Sequence, residues 1–151
     1  MQRKDFKLNE PYREIIAADK EKEFDNDFLA NVGITLASLA DQNKDDRYVW
    51  VYDLEGKILG ILTFLDMESY FYMDMVANNR LWQNLCDELK PGFSLFKTLE
   101  DLSPIFGYSK IRLDSVSYRV DYWKSHGYEV VGMPQFKEKW GNLYPMEKKL
   151  Y

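Results

Sequence analysis

A single cysteine, Cys86, excludes an internal disulfide, and a single histidine, His126, leaves no His/Cys cluster at metal-ligand spacing, so no metal is expected. A serine-hydrolase triad would have to be built on His126 itself. No apolar run approaches the ~20 residues that span a bilayer, and the opening MQRKDFKLNEPY has no apolar signal-peptide core. Those absences predict a cytoplasmic protein with no membrane partner. Positive charge is in deficit as well: 20 Lys and Arg against 25 Asp and Glu give a net charge of -5. That balance argues against broad nucleic-acid binding and suits a cationic partner such as an amine.

What is present fits one domain over residues 1–151, since 46% hydrophobic residues in 151 can bury a core, and no repeat, low-complexity tract or linker interrupts the chain. The 16% aromatic content predicts a Tyr/Phe-rich core, with an aromatic-lined groove as the functional alternative. After a polar lead-in, Tyr12 to Ala17 reads as a first strand. Acids then crowd from Asp19 to Asp27, and Phe24, Phe28, Val32, Leu36 and Leu39 recur at helical spacing. The pattern predicts one long amphipathic helix over Glu21 to Gln42, its acids at the favourable end of the dipole and Gly33 marking a bend or a second helix.

Tyr48 to Tyr52 and Lys57 to Phe64 read as strands joined by the hairpin loop Asp53-Leu54-Glu55-Gly56, and Tyr70 to Ala77 as a third strand of the meander. Pro91-Gly92 precedes a helix whose apolar face is Leu95, Phe96, Leu99 and Leu102, with Ser94 as a candidate cap and Pro104 as its stop. Ile111 and Leu113 alternate in a further strand. A helix-sized segment follows, and Gly127 is its left-handed C-cap before Tyr128 to Val131. His126 sits at that helix C-terminus as a cap rather than a base. Leu143 to Leu150 completes a last hairpin, with Pro145 expected at an edge or bulge.

The run YWKSHGYE, from Tyr122 to Glu129, resembles the second half of the GNAT fold of acyl-CoA-dependent N-acetyltransferases, where a strand, a helix and a further strand are joined by such a motif. The helix and meander before it, with Gly60 in KILGILTF, resemble the first half, so the likeness runs from about Asp19 to Leu150. It implies an α/β domain with a mixed, mainly antiparallel sheet flanked by helices. It also implies acetyl transfer from acetyl-CoA to a primary amine of a small molecule or protein, with a homodimer as a possible assembly. Met75, Val76, Lys90, Gly92, Phe93 and Ser94 are the residues the resemblance assigns to the cofactor. Helix N-termini bind phosphate through unpaired amides and a positive dipole end, and glycine lets the phosphate approach.

The chain departs from the family at two places. Aligned on the glycine-loop motif, Asp87 and Lys90 replace the first conserved positions and only Gly92 remains, with Asn78 to Glu88 inserted as a helical turn or two. The tyrosine that serves the family as acid falls on Trp123, whose indole cannot. Tyr122 and, one turn earlier, Tyr118 are the substitutes, while Asp74 and Asp114 are the candidate bases for the amine proton. Asp74 has the alternative of an outward-facing residue on a half-exposed sheet. A GNAT-fold binding or regulatory protein that has lost the chemistry is the competing class.

Overall fold

In the computed structural model, which describes residues 2–151, an eight-stranded sheet runs in the order β1-β2-β3-β4-β5-β8-β6, with β7 also paired to β8. The strands are β1 (Tyr12–Glu14), β2 (Arg47–Leu54), β3 (Lys57–Asp66), β4 (Phe71–Asn78), β5 (Lys110–Val116), β6 (Glu129–Val130), β7 (Gln135–Lys137) and β8 (Gly141–Lys149). Every pairing is antiparallel except β4 with β5. The first hairpin is tighter than the four-residue loop expected from sequence. Leu54 pairs with Lys57, and Glu55 and Gly56 take φ of 52° and 89°, the two positive values that a two-residue turn between twisted strands requires.

Helices α1 (Asp27–Asn31) and α2 (Leu36–Gln42) lie on one face of the sheet, and α3 (Gln83–Leu89), α4 (Pro91–Leu102) and α5 (Val120–Ser125) on the other. The single helix expected over Glu21 to Gln42 is therefore three pieces, a 3-10 turn at Ala17–Glu21 and then α1 and α2. Gly33 at φ +71° ends one helix, and Asn26 and Thr35 cap the starts of α1 and α2 through side-chain oxygens. The apolar stripe survives the breaks: Phe28, Leu29, Leu36 and Leu39 pack on Val49, Val51, Ile58 and Ile61. These helices cover the β1–β4 half of the sheet and leave the β5–β8 half of that face open. On the opposite face Trp50, Phe64, Phe71, Leu95, Phe96 and Tyr128 form the larger core.

Two glycines set α4 against the sheet. A Cβ on Gly60 of β3 would come within 3.0 Å of Pro91 Cβ, and one on Gly92 within 2.8 Å of Asn78 Oδ1. At Gly60 a side chain would press on Pro91 and on the Ala77 carbonyl at 3.2 Å, and at Gly92 it would displace the Asn78 carboxamide. The inserted segment forms a 3-10 turn at Arg80–Trp82 and then α3, which ends at Lys90 in the left-handed region (φ 50°). Gly92, Phe93 and Ser94 thus belong to the first turns of α4 rather than to a loop before it. Ser94 is not the cap, because its hydroxyl shares a hydrogen bond with Tyr12 Oη. Pro145 lies inside the sheet rather than at an edge, paired with Asp114 of β5. Its missing N–H falls in the gap between β6 and β7, where its carbonyl accepts from the Val131 amide at 2.9 Å.

Asp19, fully buried, anchors β1 and the 3-10 turn. Arg13 donates to both its oxygens, at 2.8 and 2.9 Å, and the Ile16 amide adds a third bond at 2.9 Å. Burial alone would push this carboxyl up, but Arg13, the Ile16 amide and Lys22 outweigh it and hold it down at about 2. Because the folded pKa lies below the unfolded one near 4, the contribution is complete above about pH 4 and is lost as pH falls through about 2. Asp19→Asn is expected to remove about 2 kcal/mol of stability at pH 7. In denaturant titrations the gap between the two proteins should close between about pH 4 and pH 2, and a gap that persists unchanged at acid pH would refute the assignment.

Candidate active site

The parallel contact between β4 and β5 lasts for three pairs, Phe71 with Ile111, Tyr72 with Arg112 and Met73 with Leu113, and then the strands part. Asp74 is the extra residue of a β-bulge, since Thr63 of β3 pairs with Met75 and Phe64 with Met73. Beyond it β4 stays with β3, while β5 stays with β8 as far as Val116. The wedge between them is a cleft of about 270 Å³, continuous from the start of α4 to the open half of the α1–α2 face. Its walls include Met75, Val76, Asn78, Gly92, Phe93, Tyr118, Tyr122 and Trp123, with Phe28 and Asn26 of the α1 segment at one end. Buried Asn79 holds that segment in place, accepting from the Asp25 amide at 2.9 Å and donating to the Glu23 and Ile58 carbonyls.

Of the residues singled out from sequence, Asp74, Asp114, Tyr118, Tyr122, Met75, Val76, Gly92 and Phe93 all line this cleft, whereas Lys90 and Ser94 do not. Lys90 is exposed at the turn before α4. Asp74 is exposed, and Arg47 Nη1 donates to its Oδ2 at 2.5 Å. Asp114 instead accepts from the Tyr72 hydroxyl at 2.6 Å and makes no ion pair among the described residues. Burial, and then the adjacent Asp114 carboxylate, push the Tyr72 phenol far above its usual range, so it stays a donor to Asp114 Oδ2, and Oδ1 has no protein partner among the described residues. Tyr122 is also pushed up, by burial that Arg119 partly offsets, and its hydroxyl has no protein partner among the described residues.

The start of α4 offers fewer amides than its length suggests. Pro91 has none, Gly92 N–H donates to Asn78 Oδ1 at 2.8 Å and Ser94 N–H to the Lys90 carbonyl at 3.0 Å. Phe93 is left as the one first-turn donor without a protein partner. Sequence reasoning missed Asn78 and Phe28, which line the cleft, and Arg47 and Tyr72, which bond to its two acids from outside it. Two-residue alternation along β4 carried a signal for Tyr72, which shares the face of Asp74. No such signal pointed to Asn78. Among the described residues no group of three or more His, Cys, Asp and Glu side chains is placed to hold a metal. Among the described residues no helix is long and apolar enough to cross a membrane.

Solved structures superpose on this chain over most of its length. An acetyltransferase of the GNAT family from Streptococcus pneumoniae superposes with a TM-score of 0.59 at 18% identity, covering 91% of this chain and 97% of that one. The chain has the GNAT fold. A GNAT-family acetyltransferase from Elizabethkingia anophelis with acetyl-CoA bound gives 0.57 at 12% identity, over 74% of this chain and 82% of that one. The aminoglycoside 6'-N-acetyltransferase from Enterococcus faecium gives 0.60 at 11%, over 78% and 80%. No family model and no curated protein matches the sequence.

Within this GNAT fold Trp123 is 9% exposed and packs on Phe96 at 5.0 Å and Tyr128 at 5.3 Å between ring centroids, so it is a core residue whose edge reaches the cleft. Gly127 at φ +93° ends its helix, with the Tyr128 amide returning to the Trp123 carbonyl at 3.1 Å. The backbone of His126 caps the helix while its ring packs against Tyr122, Phe93 and Phe96. Trp123→Ala is expected to cost roughly 3–5 kcal/mol in denaturant unfolding, and Trp123→Phe under half of that. Equal stability of the alanine variant and the parent would remove Trp123 from the core.

Proposed function

We propose that the protein transfers an acetyl group from acetyl-CoA to a primary amine. The observation that carries this reading is the split between β4 and β5. It leaves the β4 backbone past Met73 and the β5 backbone past Leu113 with no strand partner toward each other, facing a cleft that ends at a helix start. A ligand bearing amides can complete such edges as an added strand does. Met75 and Val76 would hold the amide-bearing arm of the cofactor, the Phe93 amide a phosphate and Lys90 its charge, with Gly92 giving the close approach. The structure of the GNAT-family acetyltransferase from Elizabethkingia anophelis contains acetyl-CoA, which supports the choice.

The bound thioester supplies an activated acyl group. An ammonium acceptor has first to lose a proton, and its pKa is near 10. Asp114 is the better base because its one partner is a neutral hydroxyl, whereas Asp74 is paired with the Arg47 cation. Tyr122, kept protonated by burial, is positioned in the cleft to give a proton to the leaving thiolate, and exposed Tyr118 is the weaker choice. Asp74 helps to draw a cation inward and Arg47 limits how strongly. The second reading, a binding protein without catalysis, is favoured by one observation: Asn78 occupies the Gly92 amide.

Saturating acetyl-CoA, at about a hundredfold excess over its Kd, should add about 2.7 kcal/mol of stability, a rise of roughly 5–10 °C in melting temperature. Gly92→Asp should abolish the rise and Asn78→Ala should enlarge it; the absence of any shift at millimolar acetyl-CoA would favour the binding-protein reading. For catalysis, the rate should climb with pH toward about 9, and Asp114→Asn should lower kcat/KM at least tenfold, about 1.4 kcal/mol, with a smaller loss for Asp74→Asn. A fully active Asp114→Asn enzyme beside an inactive Tyr122→Phe enzyme would move the central role to the tyrosine.

A further inference from the structure

The acceptor end of the cleft carries few charges, and one of its two carboxylates is already matched. Three charged side chains line it, Asp74, Asp114 and Arg119. Asp74 is neutralised by Arg47, and the Arg119 guanidinium lies 5.4 Å from the centre of the Tyr122 ring. Of the acids on the flanking elements, Asp27 of α1 pairs with Arg80 and Glu147 of β8 with Arg112, and Asp121 of α5 is not among the residues lining the cleft. One negative charge in the cleft therefore lacks a cation, that of Asp114, whose only partner among the described residues is the neutral Tyr72 hydroxyl.

The walls beside that charge are apolar and aromatic. Phe28 lines the cleft and stacks on Trp140 with ring centroids 4.9 Å apart and planes 27° from parallel, joining α1 to the β7–β8 turn across the open face. Tyr118, 76% exposed, presents its ring at the same mouth, and Val116 lies beside it. Rings held in place next to an ammonium site attract the cation by their π-faces and bury the carbon body attached to it. The volume of about 270 Å³ is small even for a single drug-sized ligand.

We propose that the acceptor is a small monoamine: one ammonium group, at Asp114, on an aromatic or aliphatic body that lies against Phe28 and Tyr118. A polycation such as a polyamine or an aminoglycoside would bring further ammonium groups into a cleft whose only other carboxylate, Asp74, is matched by Arg47 and whose remaining charge is the cationic Arg119, so each would lose water without gaining a partner. This inference rests on the acyl-transfer reading above.

The test is a panel of acceptors with acetyl-CoA and the intact protein: 2-phenylethylamine, ethylamine, spermidine and kanamycin. Expected is a kcat/KM for 2-phenylethylamine at least about tenfold above those of spermidine and kanamycin. Phe28→Ala should raise KM for 2-phenylethylamine several-fold more than for ethylamine, which has no body to lose contact. Equal or better use of spermidine or kanamycin would overturn the inference while leaving acyl transfer intact. Failure of every amine together with no thermal shift by coenzyme A would instead defeat the acyl-transfer reading. Saturable binding, followed by NMR without acetyl-CoA, then decides the acceptor class directly: 2-phenylethylamine binding more tightly than spermidine supports it, and the reverse order, or no binding of 2-phenylethylamine, overturns it.

Discussion

The parallel contact between β4 and β5 ends at Met73 and Leu113 because each strand is held more extensively on its other side. β4 makes an antiparallel ladder with β3 from Phe71 to Asn78, and β5 makes one with β8 from Lys110 to Val116, against three parallel pairs between them. Parallel pairing is somewhat weaker per residue, and the Asp74 bulge adds local twist to β4 where the two would have to continue together. The result is a sheet of two antiparallel halves hinged on a short seam. Every cleft residue takes its position from that geometry.

Two halves joined so briefly need a second tie, and α4 supplies it. Its N-terminal turn is seated on β3 at Gly60 and on β4 through the contacts of Gly92 with Val76 and Asn78. Its buried Glu100 reaches the other half, accepting from the Tyr128 hydroxyl at 2.9 Å and from Lys148 of β8 at 2.7 Å. Both carboxylate oxygens are thereby used, which is the condition under which a buried charge is tolerable. Burial and the neighbouring Glu100 charge push the Tyr128 phenol far above its usual range, so it remains a donor to that carboxylate. The helix thus spans the mouth of the wedge as a strut and fixes the distance between its walls.

Much of this was legible in the sequence because it depends on local chemistry. The meander, the Gly127 cap and the apolar face of α4 follow from alternation, helical spacing and glycine, while the first hairpin was placed correctly but read two residues too long. The long helix over Glu21 to Gln42 was misread because helical spacing persists across a break when both pieces pack on the same sheet face. The caps at Asn26 and Thr35 were the missed evidence. At the site, sequence brought forward Asp74, Asp114, Tyr122 and Gly92 but could not rank the two acids. Their difference lies in partners from distant strands, Arg47 of β2 for one and Tyr72 of β4 for the other, and no spacing within one segment encodes that.

The same limit hid Asn78, whose effect is one of degree. A neutral amide-to-carboxamide hydrogen bond contributes about 0.5–1.5 kcal/mol net, whereas a bond from the same N–H to an anionic oxygen contributes about 1.5–3 kcal/mol. A phosphate that displaces the Asn78 side chain from Gly92 therefore still gains, but by the difference between the two rather than by the whole. The carboxamide that is released keeps access to water, since Asn78 is exposed, so its displacement leaves no buried unsatisfied group. A helix start with Pro91 at its first position and Asn78 on its second amide is weakened as an anion site without being closed. Affinity for a long phosphorylated thioester must then come mainly from the unpaired strand edges of the cleft. A chain that keeps the split sheet can lose most of the glycine loop and still retain that part of the binding surface.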